Sequence, residues 1–302
     1  MTLALSRWRV PRDPRYYQIA VLASLLAFGL TRLHFEVRPA QAAVTLAAAL
    51  LTQAICTRLA RLPAFDPKSA LISGLSLCLL LRTNHVALAA LAAAITIASK
   101  FVLRVNGKHV FNPTNFGIVV LMALGAPVWV SPGQWGNAAF FAFLMSCLGG
   151  LVIHRAARSD VTLAFLAFHA AILFGRALWL GQRMTIPLHQ LENGALLLFA
   201  FFMISDPKTT PASRAGRILF AALVALGAGT VQFVLFRTNG LLYSLALFSL
   251  AVPLLDRLLP GPRYEWNDPA ALTRKFTKGA VHETPPDPRL VPGRGALALP
   301  RP

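Results

Sequence analysis

Between residues 18 and 259 the chain is a succession of apolar runs of roughly bilayer length, joined by short polar segments. A run of about 20 apolar residues crosses the hydrocarbon core as a helix, and only helices or closed barrels satisfy the backbone there. Charged residues are 13% of the 302 and hydrophobic ones 56%, whereas soluble domains carry about 25% charged residues. The sequence therefore predicts an all-α, polytopic membrane protein with about eight to ten membrane segments.

The basic excess, a net charge of +18, is spread over nearly every loop and both tails. That distribution serves topology and lipid headgroups, and it argues against nucleic acid as a partner. The first seventeen residues hold Arg7, Arg9, Arg12 and Arg15 against Asp13. They predict a cytoplasmic N-terminus over 1–17, ahead of a membrane domain over 18–259. No cleavable signal peptide is apparent. From 260 to 302 proline and mixed charge replace apolar periodicity, which predicts a disordered tail.

Spans are expected at about 18–35, 40–60, 137–153, 161–180, 216–236 and 240–259. Two regions differ. Ser69–Ser99 is divided by Arg82-Thr83-Asn84-His85 into halves too short to cross, and 188–204 is apolar except at its entry, Gln190-Leu-Glu192-Asn193-Gly194. Interrupted helices of this kind point to binding sites in transporter-like folds. Asp-Pro-Lys at 66–68 and 206–208, and Arg-Thr-Asn at 82–84 and 237–239, occur in the same order. With a broken helix in each half they suggest two repeats.

Chemistry concentrates in two polar segments. Lys100–Gly117 gathers three cations, a histidine and three asparagines in eighteen residues. Lys100, Arg104 and Lys108 suit a phosphate or carboxylate. Asn112-Pro113 reads as a helix cap followed by proline at the first helical position. Asn112 and Asn115 can each donate and accept along a heterocycle edge, and Phe111 and Phe116 can pack against a ring. The bland alternative is a loop with headgroup-binding cations and a capping asparagine; the asparagines and the glycine weigh against it.

The second segment is Ser205–Pro211. Asp206 is expected to cap a turn closed by Thr209 or Thr210, or to serve as a carboxylate paired with Lys208, Arg214 or Arg217. Glu192 is expected at an interface, with ion or proton movement as the alternative. The histidines show no ligand spacing, the three cysteines stand singly, and no P-loop, GxGxxG or Ser–His–Asp order is present. No metal site is expected, nor a hydrolase.

Lys108-His-Val-Phe-Asn-Pro-Thr-Asn-Phe-Gly117, and Gly194 through Asp206-Pro-Lys-Thr209 with Arg214-Ala-Gly-Arg217, resemble the D subunit of Rnf electron-transport complexes. The B subunit of sodium-pumping NADH:quinone reductase is similar. The likeness runs from about Asp66 to Asp256. Ser69–Asn84, Val130–Gly136 and Met203–Pro211 look like a stand-alone branch labelled enediyne-biosynthesis membrane proteins.

The resemblance implies a ten-helix, two-repeat fold of urea-transporter type in a bacterial cytoplasmic membrane. It implies electron transport with bound flavin, coupled to sodium or proton movement, and partners among redox subunits or biosynthetic enzymes. One departure matters. The flavin-attachment threonine motif has no counterpart in Gly125–Asn137, which contains no threonine. FMN, riboflavin or a quinone-like ring is therefore expected only non-covalently, with Lys100, Arg104, Lys108, Asn112, Asn115, Asp206 and Thr209 as its site. The alternatives are a small-solute or natural-product transporter and, more weakly, a membrane anchor for partner enzymes.

Overall fold

The computed structural model describes residues 13–33, 35–130, 148–154, 156–262 and 264. The expected span at 137–153, the segment compared with the flavin-attachment motif, and the expected tail lie mostly or wholly outside these residues.

The described chain is all-α apart from four short strands. In order it runs α1 (Pro14–Thr31), α2 (Pro39–Leu59), α3 (Pro67–Leu80), β1 (Leu81–Thr83), α4 (Val86–Val102), β2 (Arg104–Val105), β3 (Lys108–His109), α5 (Pro113–Ala123) and β4 (Val128–Val130). After a helical stretch at 148–154 come α6 (Ser159–Trp179), α7 (Thr185–Leu191), α8 (Gly194–Met203), α9 (Arg214–Phe233), α10 (Gly240–Ser249) and α11 (Val252–Leu258).

Among the described residues, α2, α6 and α9 are each long and apolar enough to cross a membrane. The pairs α7–α8 and α10–α11 reach that length and apolarity when joined, and are bent by 49° and 51° as broken spans or re-entrant loops are. Three shorter apolar helices, α3, α4 and α5, complete the set, as a polytopic membrane protein requires.

Local rules explain the helix starts. Asp13, Asp66 and Asn112 each accept a backbone N–H from the first turn of α1, α3 and α5, and a proline follows each cap. Asn193 caps α8 and Ser213 caps α9 in the same way. The expected break at 82–85 holds the end of a strand, β1, followed by the N-cap of α4 at His85. A helix of α3's length rises about 21 Å, and the three residues of β1 add about 10 Å, together close to the hydrocarbon thickness. β1 pairs antiparallel with β4, Leu81 opposite Val130, and all three β1 residues are buried. Extended backbone at this depth is tolerated because protein covers it.

The halves are related by inverted order. α3 runs from a cavity bearing Asp66 and Ser69 to a second bearing Leu80, while α8 runs from that second cavity, at Asn193, back to the first, at Met203. α4 ends at the first cavity with Lys100, and α9 ends at the second with Gln232. α5 starts at the first with Asn112, and α10 starts at the second with Gly240.

Packing repeats too: α2 lies along α4 as α6 lies along α9, and α4 meets α5 as α9 meets α10. Glycine permits both of the latter contacts. A Cβ on Gly117 would stand 2.0 Å from Thr96 Oγ1, and one on Gly227 would stand 2.5 Å from Ser244 Oγ, the small-residue packing that brings membrane helices close.

The repeated tripeptides do not mark these repeats. Arg82-Thr83-Asn84 joins α3 to α4, but Arg237-Thr238-Asn239 joins α9 to α10. Asp66-Pro67-Lys68 opens α3, whereas Asp206-Pro207-Lys208 follows α8.

Candidate functional site

The first cavity, of about 260 Å³, lies where α3 begins and α4 and α8 end. Lys100, Arg104, Asn112 and Asp206, four of the seven residues expected from the sequence, reach its wall together. Lys100 is 4% exposed and its ammonium donates to Ser69 Oγ at 3.0 Å. Among the described residues it makes no ion pair. Gln53 Oε1 and His109 Nδ1, both buried and both without a hydrogen-bond partner, belong to residues of the same wall. Phe101 and Phe202 supply aromatic lining. A buried cation with unmatched acceptors is costly in apolar surroundings and marks a place where a polar ligand is accommodated.

The other three expected residues stand elsewhere. Lys108 faces an adjoining cavity of about 410 Å³ and pairs with Asp256 at 2.8 Å. Asn115 is fully buried, its amide donating to Leu242 O at 3.1 Å and so tying α5 to α10. Thr209 donates to Asp206 O, as does Thr210, closing a turn in which Asp206 Oδ1 accepts from Lys208 N–H. Asn112 lines the cavity, but its amide group is engaged in the fold: Oδ1 accepts from Asn115 N–H and Nδ2 donates to Met203 O at 3.2 Å. The pairing of Asp206 with Arg217 does not form, because Arg217 binds Asp160 through Nε and Nη2.

The glycine and the first asparagine of Lys100–Gly117 have a purely local cause. Asn106 and Gly107 take φ of +52° and +76° between β2 and β3, the two left-handed positions of a tight hairpin turn.

Electrostatics set the protonation of this end. Burial pushes the Asp206 carboxyl above its ordinary value, against the opposing Lys208 N–H and the charges of Arg158 and Lys100. Burial, with Arg104 and Lys100 nearby, pulls His109 down to about 4, so its ring is neutral near neutral pH. His109 and Lys208 form the partition between the two adjoining cavities. Neither His109 nor Gln53 was singled out as a site residue by the sequence. A buried glutamine that lines a cavity with residues of other helices leaves no local pattern.

The second cavity, at the opposite ends of the helices, is larger, about 670 Å³, and mainly apolar. Met203 borders both it and the first cavity. It closes the π-helical turn Phe199–Met203 that ends α8, a kind of widened turn common at functional sites.

Fold and site thus define an all-helical, multi-pass membrane protein with a buried cationic cavity at one end of an inverted repeat. Residues 128–264 match the NQR2, RnfD, RnfE family, and the chain is RnfD-like over that stretch. The D subunit of the ion-translocating oxidoreductase complex of Erwinia tasmaniensis is 32% identical over 127 residues, 41% of this chain and 34% of that protein. The proteins of the same description from Escherichia coli O9:H4 and K12 are 30% identical over 125 residues, again 41% and 34%. The matched part of this chain spans about a third of the length of these relatives. The family match takes in Gly194–Arg217 and begins after the Lys108–Gly117 motif.

Proposed function

We propose that this chain is an integral membrane component of an electron-transport complex and holds a flavin-like ring non-covalently in the cavity of Lys100, Gln53 and His109. The observation that carries the reading is the set of unmatched polar groups there. Lys100 presents a cation with a single hydroxyl partner, while Gln53 Oε1 and His109 Nδ1 present acceptors without donors. A ring that carries both carbonyl oxygens and an N–H, as the flavin imide edge does, accepts from Lys100 and donates to one of the two acceptors. A quinone ring offers only carbonyls and leaves the two acceptors unsatisfied.

When bound, such a ring supplies one- and two-electron redox chemistry. The protein's own groups position it. Lys100 and Arg104 favour the anionic form of the ring, Phe101 and Phe202 flank it, and the Asp206 turn and capped Asn112 hold the wall in shape. Ion movement coupled to redox, and other complex subunits as partners, belong to the same reading, which rests on the relatives' description as ion-translocating oxidoreductase subunits.

The test is the absorption spectrum of detergent-purified protein before and after acid precipitation. Flavin bands released to the supernatant, and lost in the Lys100→Gln variant, are expected. Folded protein without colour, and without affinity for added FMN or riboflavin, sinks the reading.

A second reading, passage of a small solute such as a natural-product intermediate, is favoured by one observation: cavities at opposite ends of the helices share Met203. Solute flux into liposomes carrying colourless protein supports it, and tight vesicles count against it.

A further inference from the structure

The cavity of about 410 Å³ on the far side of His109 and Lys208 has a different character. Arg158, at its wall, is 5% exposed. Its Nε donates to Thr210 Oγ1 at 3.2 Å, its Nη1 donates to Ala157 O at 3.2 Å, and its guanidinium lies 4.7 Å from the centre of the Tyr264 ring. None of these partners is an anion. Among the described residues Arg158 forms no ion pair; the nearby carboxylate of Asp160 is held by Arg217 instead.

The rest of the wall adds to the imbalance. Lys108, Lys208 and Arg257 line the same cavity, and Asp256 is the single carboxylate among its described lining residues. Asp256 is already engaged twice, by Lys108 at 2.8 Å and by the Ala212 N–H at 2.7 Å. Burial first, and then the neighbouring Arg217, pull the Arg158 guanidinium down to about 10, against the opposing charges of Tyr264, Asp160 and Asp206. Removing one partner from a buried pair is strongly destabilising, so a fold that keeps such a cation facing a cavity is built around an anion.

We infer that this cavity is a binding site for a phosphate ester, with Arg158 at its floor, Lys108 and Lys208 at its sides and Arg257 at its rim. A guanidinium whose Nη2 has no hydrogen-bond partner among the described residues, set beside two ammonium groups, matches a tetrahedral oxyanion better than it matches a planar carboxylate alone. Val105, Pro207, Val252 and Pro253 line the remainder and suit the ester's organic part. The site is separate from the ring cavity and does not depend on the redox reading. The ester can come from a membrane phospholipid or from a soluble metabolite, and experiment separates these.

The full chain, delipidated in a neutral detergent, is tested with glycerol 3-phosphate by thermal shift. In parallel it is tested with phosphatidylglycerol, against phosphatidylcholine, by native mass spectrometry. A saturable shift with glycerol 3-phosphate assigns a soluble ester. Selective retention of phosphatidylglycerol without that shift assigns a lipid headgroup. Either supports the site, provided the Arg158→Gln variant loses at least about tenfold in affinity, the equivalent of one charge-assisted hydrogen bond.

Because a buried substitution can fail to fold, Arg257→Gln at the exposed rim is measured alongside. It is expected to weaken binding by about twofold to fivefold, with a steeper effect at low salt. Binding of neither probe overturns the proposal. So does wild-type affinity in the Arg257→Gln variant together with wild-type affinity in Arg158→Gln, or in Arg257→Gln alone if Arg158→Gln does not fold.

Discussion

Arg15, in the first turn of α1, donates through its guanidinium to Asp66, the cap of α3. The contact is returned, since Lys68 of the α3 opening donates to Asp13, the cap of α1, at 2.9 Å. Two helices that begin with the same Asp-Pro-basic phrase therefore exchange their charges. Each carboxylate serves a backbone N–H of its own helix and a cation of the other, which fixes the helix starts side by side.

Asp13 is held at about 2: burial raises it, but hydrogen bonds from Arg15 and Lys68 more than offset this. Its folded value lies below its ordinary 3.8, so the stabilisation is complete above about pH 4 and is lost as pH falls towards about 2. Asp13→Asn is expected to lower stability at neutral pH by about 2 kcal/mol. Thermal unfolding in detergent should show the gap between wild type and variant closing between about pH 4 and 2. A gap independent of pH would refute this account of the pair.

His109 gives a second pH window. Its ring is held down to about 4 by burial and by Arg104 and Lys100. The unfolded chain takes up a proton near pH 6.5 and the folded chain does not, so stability should fall as pH drops from about 6.5 to about 4. The slope is at most about 1.4 kcal/mol per pH unit. His109→Gln should remove that slope, and chemical denaturation at stepped pH measures it.

Gly117 and Thr96 form a packing test. Alanine at 117 meets Thr96 Oγ1 at 2.0 Å and Ala92 O at 3.1 Å, an overpacking expected to cost about 1–3 kcal/mol. Thr96→Ala should relieve much of that clash. The double variant is then more stable than the sum of the single changes predicts, and a strictly additive double-mutant cycle would argue against direct contact.

Lys100→Met should leave the folded protein in the membrane, because the substitution replaces a cation bonded to Ser69 with an apolar chain of similar length. Ring-ligand affinity is expected to fall at least about tenfold. Asn115→Ala should behave in the opposite way. Stability is expected to drop by about 1–3 kcal/mol as Leu242 O loses its donor, with little change in affinity once folded. Fluorescence titration with riboflavin separates the two.

Much of the scaffold was legible because its signals are local. Asn112-Pro113 announces the start of α5, and Arg82–His85 announces the end of an interrupted helix, since caps and breaks are written within a few residues. The roles of the asparagines were less legible. Asn106 turns a hairpin and Asn115 ties α5 to α10, though both residue types also suit ligand recognition. What escaped depends on distant partners. Asp13 with Lys68, Arg217 with Asp160, and Arg158 without an ion pair among the described residues are set by helix packing across long sequence separations. The inverted order of the halves escaped for the same reason, because chance tripeptides lay at inequivalent places while the true correspondence lies in helix direction.

The partition made of His109 and Lys208 has a thermodynamic consequence. Two compartments that share a wall are coupled wherever a ligand displaces that wall. Any ligand that shifts either side chain on one side changes the affinity on the other, and by linkage the reverse effect has equal magnitude. An anion drawing Lys208 towards Arg158 would redraw the electrostatic potential felt by whatever lies beside Lys100, making the charge state of one chamber a control on the other.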